Sequence, residues 1–413
     1  MKLSQLFFKT QKSFPKDEPS KNARFLEKAG FIYKNGSGIY TFLPLGWIVI
    51  QKIIKIIREE MEKIGANEIM MPALVARQTW SQTKRWDVPI GYEVKAKDKD
   101  EAEFVLGWTH EEVITELTSH FINSYKDLPL AMYQIQTKFR NEPRAKSGLL
   151  RGKEFIMKDL YSFHFSEEDL FNYYNQVAGA YHKIFNRVGL KAIYTLASGG
   201  AFTISNTHEF QVVSNVGEDE IFICESCGYA ENKEISELKE GEKCLKCGGE
   251  IKVKHSIEVG NIFPLGEKYA RDFNLKFKDK DGNERYVIMG SYGIGVTRLM
   301  GTIAELYNDD RGLIWPSEVS PAQVYLIGID RDKEAEDFYK DLQNKGIEVI
   351  YDDRNLNPGE KFQDADLVGV PYRVIISSKT GELVGFKKRN EEVETNLTKE
   401  KAISLILENN GHI

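Results

Sequence analysis

An arginine, a glutamate and an aromatic ring stand at spacings that suit phosphate and purine chemistry. Phe139-Arg140-Asn141-Glu142 is followed, across a polar loop at 143–148, by Arg151, Phe155 and Asp159. The last three are four apart, so in an extended strand they share one face. As strand, loop and strand, these segments give an arginine that can hold an α-phosphate where charge builds. They also give a carboxylate that can accept from an adenine amino group and a ring that can stack on a purine. Either half alone would pass as a solvated hairpin with ordinary ion pairs. Both halves in register point to an ATP site.

A second cluster is Met289-Gly290-Ser291-Tyr292-Gly293-Ile294-Gly295, followed three residues later by Arg298. Alone, such a glycine run is a weak signal and fits several nucleotide loops or a tight strand-to-helix turn. With Arg298 behind it, the glycines let the backbone approach a nucleotide and the arginine can cover the other adenine face. The spacing lacks the Gly-Lys-Ser/Thr of a Walker A loop.

The four cysteines form two pairs, Cys224/Cys227 and Cys244/Cys247, with sixteen residues between them. Two CxxC knuckles each followed by glycine (Gly228, and Gly248 with Gly249) match a zinc ribbon, which closes a tetrahedral ion with four thiolates. Idle or redox-active thiols are the other reading. A catalytic zinc does not fit, because four thiolates leave no open position.

The elements that must carry these groups follow from periodicity. Ile50, Ile53, Ile54, Ile57, Met61 and Ile64 recur at helical spacing over 48–64, and Gly65 closes that helix. A short strand at 67–71 then runs into Pro72. From 132 to 165 the pattern alternates as in antiparallel strands, and 284–291 reads as another strand leading through 290–295 into a helix to Ala304. The stretch WPSEVSP (315–321) breaks periodicity with two prolines and marks a boundary. Beyond it, strand 324–329, helix 333–344, strand 348–351, helix 361–367 and strand 373–377 predict a small α/β domain with a mainly parallel sheet.

At 413 residues and 41% hydrophobic content the chain suits two or three packed domains, not disorder. Its net charge of −6 argues against binding nucleic acid through bulk electrostatics. Residues 322–413 carry 13 basic and 18 acidic side chains, so RNA there would be held by local bases and base-specific contacts. No apolar run is long enough for a membrane span and none near the start suits a signal peptide, so a cytoplasmic enzyme is the expectation.

Pro72 after its helix and strand, the FRxE hairpin and the GxGxxR ending resemble motifs 1, 2 and 3 of class II aminoacyl-tRNA synthetases, in order. The words SGIYTFLPLG (37–46), WTHEEVIT (108–115), RGKEFIMKDLYSFH (151–164), THEFQV (207–212) and DDRNLNPGEKFQDADLVGVP (352–371) resemble bacterial-type prolyl-tRNA synthetases. The likeness covers essentially the whole chain, and KLSQLFF (2–8) implies an intact start. It implies a mixed α/β fold: a class II catalytic domain over 1–318, an antiparallel sheet flanked by helices, with a Cys-paired zinc-ribbon-like insert at 221–250. An α/β anticodon-binding domain would follow over 322–413.

The resemblance also assigns roles. ATP, with Mg2+, would meet Arg140, Glu142, Arg151, Phe155, Gly293, Gly295 and Arg298. L-proline would meet Thr109, Glu111, Arg140, His208 and Ser291, with Glu111 holding the secondary ammonium. By itself His208 reads as an ordinary satisfied histidine; only the surrounding THEF places it in the pocket. The implied partners are tRNA(Pro) and a second copy of the chain in a homodimer. The sequence departs from the family at Trp108 (usually proline), Ser291 (usually cysteine), Asn261 (usually histidine) and in 198–210. The family's large editing insertion between motifs 2 and 3 is absent. An adenylate-forming enzyme with another acceptor, or a non-catalytic tRNA-binding paralogue, are the other readings. The C-terminal segment opposes the first, and the joint retention of Arg140, Glu142, Phe155 and Arg298 opposes the second.

Overall fold

The computed structural model describes residues 1–408 except 16, 17, 144, 146, 201, 204 and 205. The chain opens with α1 (Lys21–Lys28), the hairpin β1 (Ile32–Gly36) and β2 (Ile39–Phe42), and the long α2 (Pro44–Lys63). Pro44 sits in the first turn, where its missing N–H costs nothing. Ile50, Ile53, Ile54, Ile57 and Met61 make a buried stripe, as their spacing requires. Gly65, at φ +73°, lets the chain leave the helix.

The strand expected at 67–71 is cut to β3 (Asn67–Glu68), which pairs in parallel with the later hairpin. The ladder stops because the Met71 N–H turns to the Gln134 side chain (3.0 Å) as the chain approaches Pro72. There follow β4 (Leu74–Ala76), α3 (Arg77–Gln82), β5 (Tyr92–Val94), β6 (Phe104–Leu106) and α4 (Glu111–Ser119). Strands β4, β6 and β5 make a small sheet of their own.

The alternating stretch folds as β7 (Leu130–Phe139) and β8 (Glu154–His164), antiparallel in full register from Leu130↔Phe163 to Phe139↔Glu154. Arg151 lies outside β8, in the bend before it. Only Phe155 and Asp159 therefore share a strand face, and Arg151 reaches the site from the loop. Next come α5 (Glu167–Arg187), β9 (Ile193–Ala197), β10 (Thr207–Val213), β11 (Asp219–Cys224), β12 (Ala230–Asn232), β13 (Ile251–Gly266) and α6 (Lys268–Asp272). The segment expected as one strand over 284–291 breaks at Val287. It gives β15 (Glu284–Tyr286), which pairs with β14 (Lys276–Lys278), and β16 (Ile288–Gly295). The glycine run is thus a central strand, and α7 (Val296–Leu306) starts directly after it.

Among the described residues, nine strands form the main sheet, in the order β10-β9-β12-β11-β13-β16-β8-β7-β3. Helices α5 and α7 lie against the sheet and α2 packs on both of them. Ser166 caps α5 by accepting from the Asp169 N–H, and three acidic residues occupy its first turn, which favours that end of the helix dipole. Alternation along β8 and β16 then decides what faces where. Lys158, Tyr292 and Ile294 point to the α5 side, while Phe155, Ser291, Gly293 and Gly295 point to the open face.

After the boundary, β17 (Val324–Ile329), α8 (Asp332–Asn344), β18 (Val349–Asp352), α9 (Pro358–Val368) and β19 (Tyr372–Ser377) keep the expected order within a few residues. The chain continues as β20 (Val384–Lys388), β21 (Thr395–Leu397) and α10 (Lys399–Glu408). The sheet order is β18-β17-β19-β20-β21, parallel for the first three strands and antiparallel for the last two. This body packs tightly on the first one. A Cβ on Gly369 would stand 1.9 Å from the Leu313 carbonyl oxygen, Trp315 donates to the Val368 carbonyl at 3.0 Å, and Arg389 grips Asp309 at 2.7 and 2.8 Å.

Candidate active site

On the open face, one cleft gathers Arg140, Glu142, Arg151, Phe155, Gly293, Gly295 and Arg298. All seven residues expected around the nucleotide therefore line one cavity. Arg140 stands one residue beyond β7. Its N–H bonds the Lys153 carbonyl (2.8 Å) and closes the hairpin. Its guanidinium donates to the Trp108 carbonyl from Nε and Nη2 (3.3 Å each) and lies 5.1 Å from the Phe155 ring centre. Arg298, in the first turn of α7, donates to the Leu150 carbonyl (2.8 Å) and the Glu258 carbonyl (2.9 Å). Burial first, and the facing Arg298 second, push the Arg140 pKa down. Two guanidinium groups border one space, which therefore favours an anion. Glu142 pairs with Arg151 at 2.9 Å, and Arg151 also pairs with Glu218.

The opposite wall is acidic. Glu258 accepts from Asn261 (2.8 Å); Glu209 accepts from Gln211 (2.9 Å) and Asn232 (3.0 Å); Asp219 accepts from Gln211 (2.9 Å). Burial, then the charge of Glu258, pushes Glu209 up to about 8, and burial raises Asp219 as well.

Beside Arg140, the loop 108–111 builds a carboxylate nest. Glu111 is almost fully buried. Thr109 donates to its Oε2 (2.6 Å), and Ser291, from β16, donates to its Oε1 (3.0 Å). The loop is anchored by His110. Its Nε2 bonds the Pro72 carbonyl (2.9 Å), and its Nδ1 lies 2.7 Å from the Lys138 ammonium. An ammonium can only donate, so Nδ1 accepts and Nε2 carries the proton. Lys138 in turn pairs with Asp159 at 3.0 Å. Burial, then Lys138, lowers His110 to about 4, which keeps it neutral. Asp159 thus serves a buried network beneath the site. Gly107 is required here, since a Cβ would stand 2.6 Å from the His110 ring.

Thr109, Glu111, Ser291 and Arg140 come together; His208 does not join them. It sits on β10 with its ring stacked on Tyr194 (centres 4.1 Å apart, planes 5° apart), and Nδ1 is 2.9 Å from the Tyr174 hydroxyl. Tyr174 and Phe210, two residues on, pack on the α5 side of the sheet, away from the cleft. Phase along β10 decides this. Glu209, not His208, faces the site. One group near Glu111 escaped notice from the sequence: Arg85, buried, 3.4 Å from Glu111 Oε2 and 3.0 Å from Glu112. Only the adjoining Trp86 marks it in the chain, and a lone arginine in a polar stretch carries no signal.

The four cysteine sulfurs lie within 4.8 Å of one another, Cys224–Cys247 at 3.5 Å and Cys227–Cys244 at 3.7 Å. Gly228 (φ +76°) and Gly248 (φ +75°) make the knuckle turns. Backbone N–H groups of Lys246 and Gly249 reach Cys244 and Cys247 sulfur at 3.4 Å. The ribbon is stitched into the main sheet, since β11 and β12 leave it directly.

Residues 92–307 match the tRNA synthetase class II core domain (G, H, P, S and T), and residues 323–409 match an anticodon binding domain. A proline–tRNA ligase of Sulfurimonas denitrificans is 37% identical over 98% of this chain and 100% of that protein. The chain belongs to the proline–tRNA ligase family. A family member from Thermoanaerobacter pseudethanolicus is 32% identical, over 95% of this chain and 97% of its own. That match runs over 552 positions, more than the 413 residues here, so the relative carries sequence this chain lacks. In fold, the chain is similar to prolyl-tRNA synthetase from Cryptosporidium parvum, solved with L-proline and AMP. The TM-score is 0.77 at 18% identity, covering 94% of this chain and 74% of that one. The class II core and the anticodon-binding fold follow from these likenesses. Among the described residues, no helix is long and apolar enough to cross a membrane.

Proposed function

We propose that this chain activates L-proline with ATP and transfers the prolyl group to tRNA(Pro) in the cytosol. The observation that carries this is the shared loop: Arg140 donates to the carbonyl of Trp108, and the next residues, Thr109 and Glu111, build the carboxylate nest. A carboxylate for an ammonium and an arginine for a carboxylate and a phosphate therefore stand side by side. The proline carboxylate oxygen attacks the α-phosphorus in line, the bond to the β-phosphate breaks, and pyrophosphate leaves with the electron pair. Arg140 stabilises the growing charge on the α-phosphoryl oxygens. In the second step the terminal ribose hydroxyl of the tRNA attacks the acyl carbon and AMP leaves. Positioning and charge supply both steps.

Glu258 and Asp219 would hold the magnesium that accompanies ATP, where it neutralises phosphate charge; oxygen donors suit that ion, and both carboxylates line one pocket with Arg140 and Arg298. Residues 1–318 would form the catalytic part and 322–413 the anticodon-binding part. The four cysteines would hold one structural zinc. We expect one zinc per chain by elemental analysis of protein prepared without added metal. Absence of zinc with four titratable thiols in the folded protein would reject it. The exposed Met70 and Leu74 flanking Pro72 suit a two-fold homodimer, to be checked by light scattering at micromolar concentration.

The test of the activity is ATP–pyrophosphate exchange with each of the twenty amino acids. Proline alone should support strong exchange, and Arg140→Ala should abolish it. Exchange within about tenfold of wild type in that variant would overturn the assignment, since such a contact contributes several kcal/mol.

A further inference from the structure

Arg85 lies in the loop between α3 and β5 and is only 8% exposed. Its neighbour Lys84 adopts φ +58°, a conformation uncommon for a residue with a side chain, and the chain reverses there with Lys84 N–H bonded to Ser81. The guanidinium carbon lies 4.3 Å from the Trp108 ring centre, 5.1 Å from Phe202, 5.4 Å from Trp80 and 5.7 Å from Tyr269. Inside this aromatic box, Nη1 donates to the Tyr269 hydroxyl (2.6 Å) and to Glu112 Oε1 (3.0 Å). It also stands 3.4 Å from Glu111 Oε2. Among the described residues, neither Arg85 Nη2 nor Glu112 Oε2 has a hydrogen-bond partner.

A buried arginine is costly unless it compensates buried charge. Here two adjacent carboxylates, Glu111 and Glu112, are both buried at the start of α4. Without a cation, two such groups cannot both ionise at little cost. Burial raises Glu112 to about 7 and the charge of Arg85 opposes that rise, so the trio carries at most one net negative charge, which matches a single ammonium. The 3.4 Å separation from Glu111 is long for a hydrogen bond, so Arg85 acts on it mainly through charge, while Thr109 and Ser291 set its orientation.

We propose that Arg85 is a positioning residue for amino-acid binding: by neutralising Glu112 it leaves Glu111 as the one ionised carboxylate that receives the substrate ammonium. Trp108 stacks on the guanidinium and shields the pair from water, which strengthens the interaction. The proposal rests on the reading that Glu111 holds the proline ammonium.

Steady-state exchange on the full-length chain tests it, with proline and ATP varied separately and thermal melts run alongside. Arg85→Met keeps an apolar stem in the aromatic box and removes the charge. It should raise KM for proline about tenfold or more and leave KM for ATP within about twofold. Arg85→Lys should recover part of the loss. The double variant Arg85→Met/Glu112→Gln restores one net negative charge and should bring KM for proline back to within about threefold of wild type. A purely structural role would not give that recovery. An unchanged KM for proline in Arg85→Met, an equal rise in both KM values, or no recovery in the double variant would overturn the proposal. So would loss of folding in Arg85→Met that the double variant does not repair. Glu111→Gln separates the two readings. If that variant binds proline normally, the assignment of Glu111 itself fails; if it does not while Arg85→Met is normal, only the role of Arg85 fails.

Discussion

His208 shows how a motif residue and a site residue can differ by one position. The ring is stacked on Tyr194 and bonded to Tyr174, and burial, then the charge of Lys246, lowers its pKa to about 4. A histidine held neutral in the fold titrates more easily once the chain unfolds. Its contribution to stability is therefore present above the unfolded value near 6.5 and lost as pH falls through the folded value near 4. The variant His208→Phe keeps a ring for the stack and removes the titration. We expect its KM for proline to stay within about twofold of wild type, because the ring faces α5. We also expect its urea midpoint to fall less between pH 7 and pH 4.5 than that of wild type. A large rise in KM for proline would return His208 to the pocket.

Strand β16 places two glycines three residues apart on opposite faces, and the two should respond differently to the same added methyl. A Cβ on Gly290 would stand 2.2 Å from the Tyr292 hydroxyl, which is fixed by Ser162 (2.8 Å) in the layer under α5. Nothing there can yield, so Gly290→Ala should destabilise the protein by about 1–3 kcal/mol in denaturant titrations. A Cβ on Gly293 would project into the cleft, 2.9 Å from Oδ1 at the tip of the Asn261 side chain, whose amide nitrogen donates to Glu258. Gly293→Ala should leave stability nearly unchanged and raise KM for ATP several-fold. The reverse ranking would show that the faces of β16 are misassigned.

At the scale of the whole molecule, what the chain contains between the two halves of the nucleotide site matters most. From β8 to β16 it is taken up by α5, the sheet strands β9 to β13 with the cysteine ribbon, α6 and the β14–β15 hairpin. The relatives matched over 552 positions have further sequence. A pocket shaped for proline excludes the smaller alanine by only about 1–3 kcal/mol. The expected outcome is that the enzyme activates alanine measurably and does not hydrolyse preformed alanyl-tRNA(Pro) faster than buffer. Rapid enzyme-dependent ester loss would reveal a hydrolytic site elsewhere in the fold. Across the boundary, Arg389 hydrogen-bonds Asp309 and holds its carboxyl well below the usual carboxylate range.

That Arg140, Glu142, Phe155, Gly293, Gly295 and Arg298 meet at one cleft, the helix α2, the order of elements after residue 322 and the cysteine quartet were legible from the chain alone. Each is encoded by neighbours in sequence: a hairpin brings Arg140 to Phe155, a 3.6-residue period makes α2, and CxxC knuckles pair their own thiols. What the chain could not show is what long-range packing decides. Arg151 leaves its strand because the hairpin loop, not alternation, delivers it. His208 turns away because the phase of β10 is set by pairing with β9 and β13. Arg85 finds Glu111 only because α3, α4 and α6 close an aromatic box around it, and no local pattern records contacts between segments so far apart in the chain.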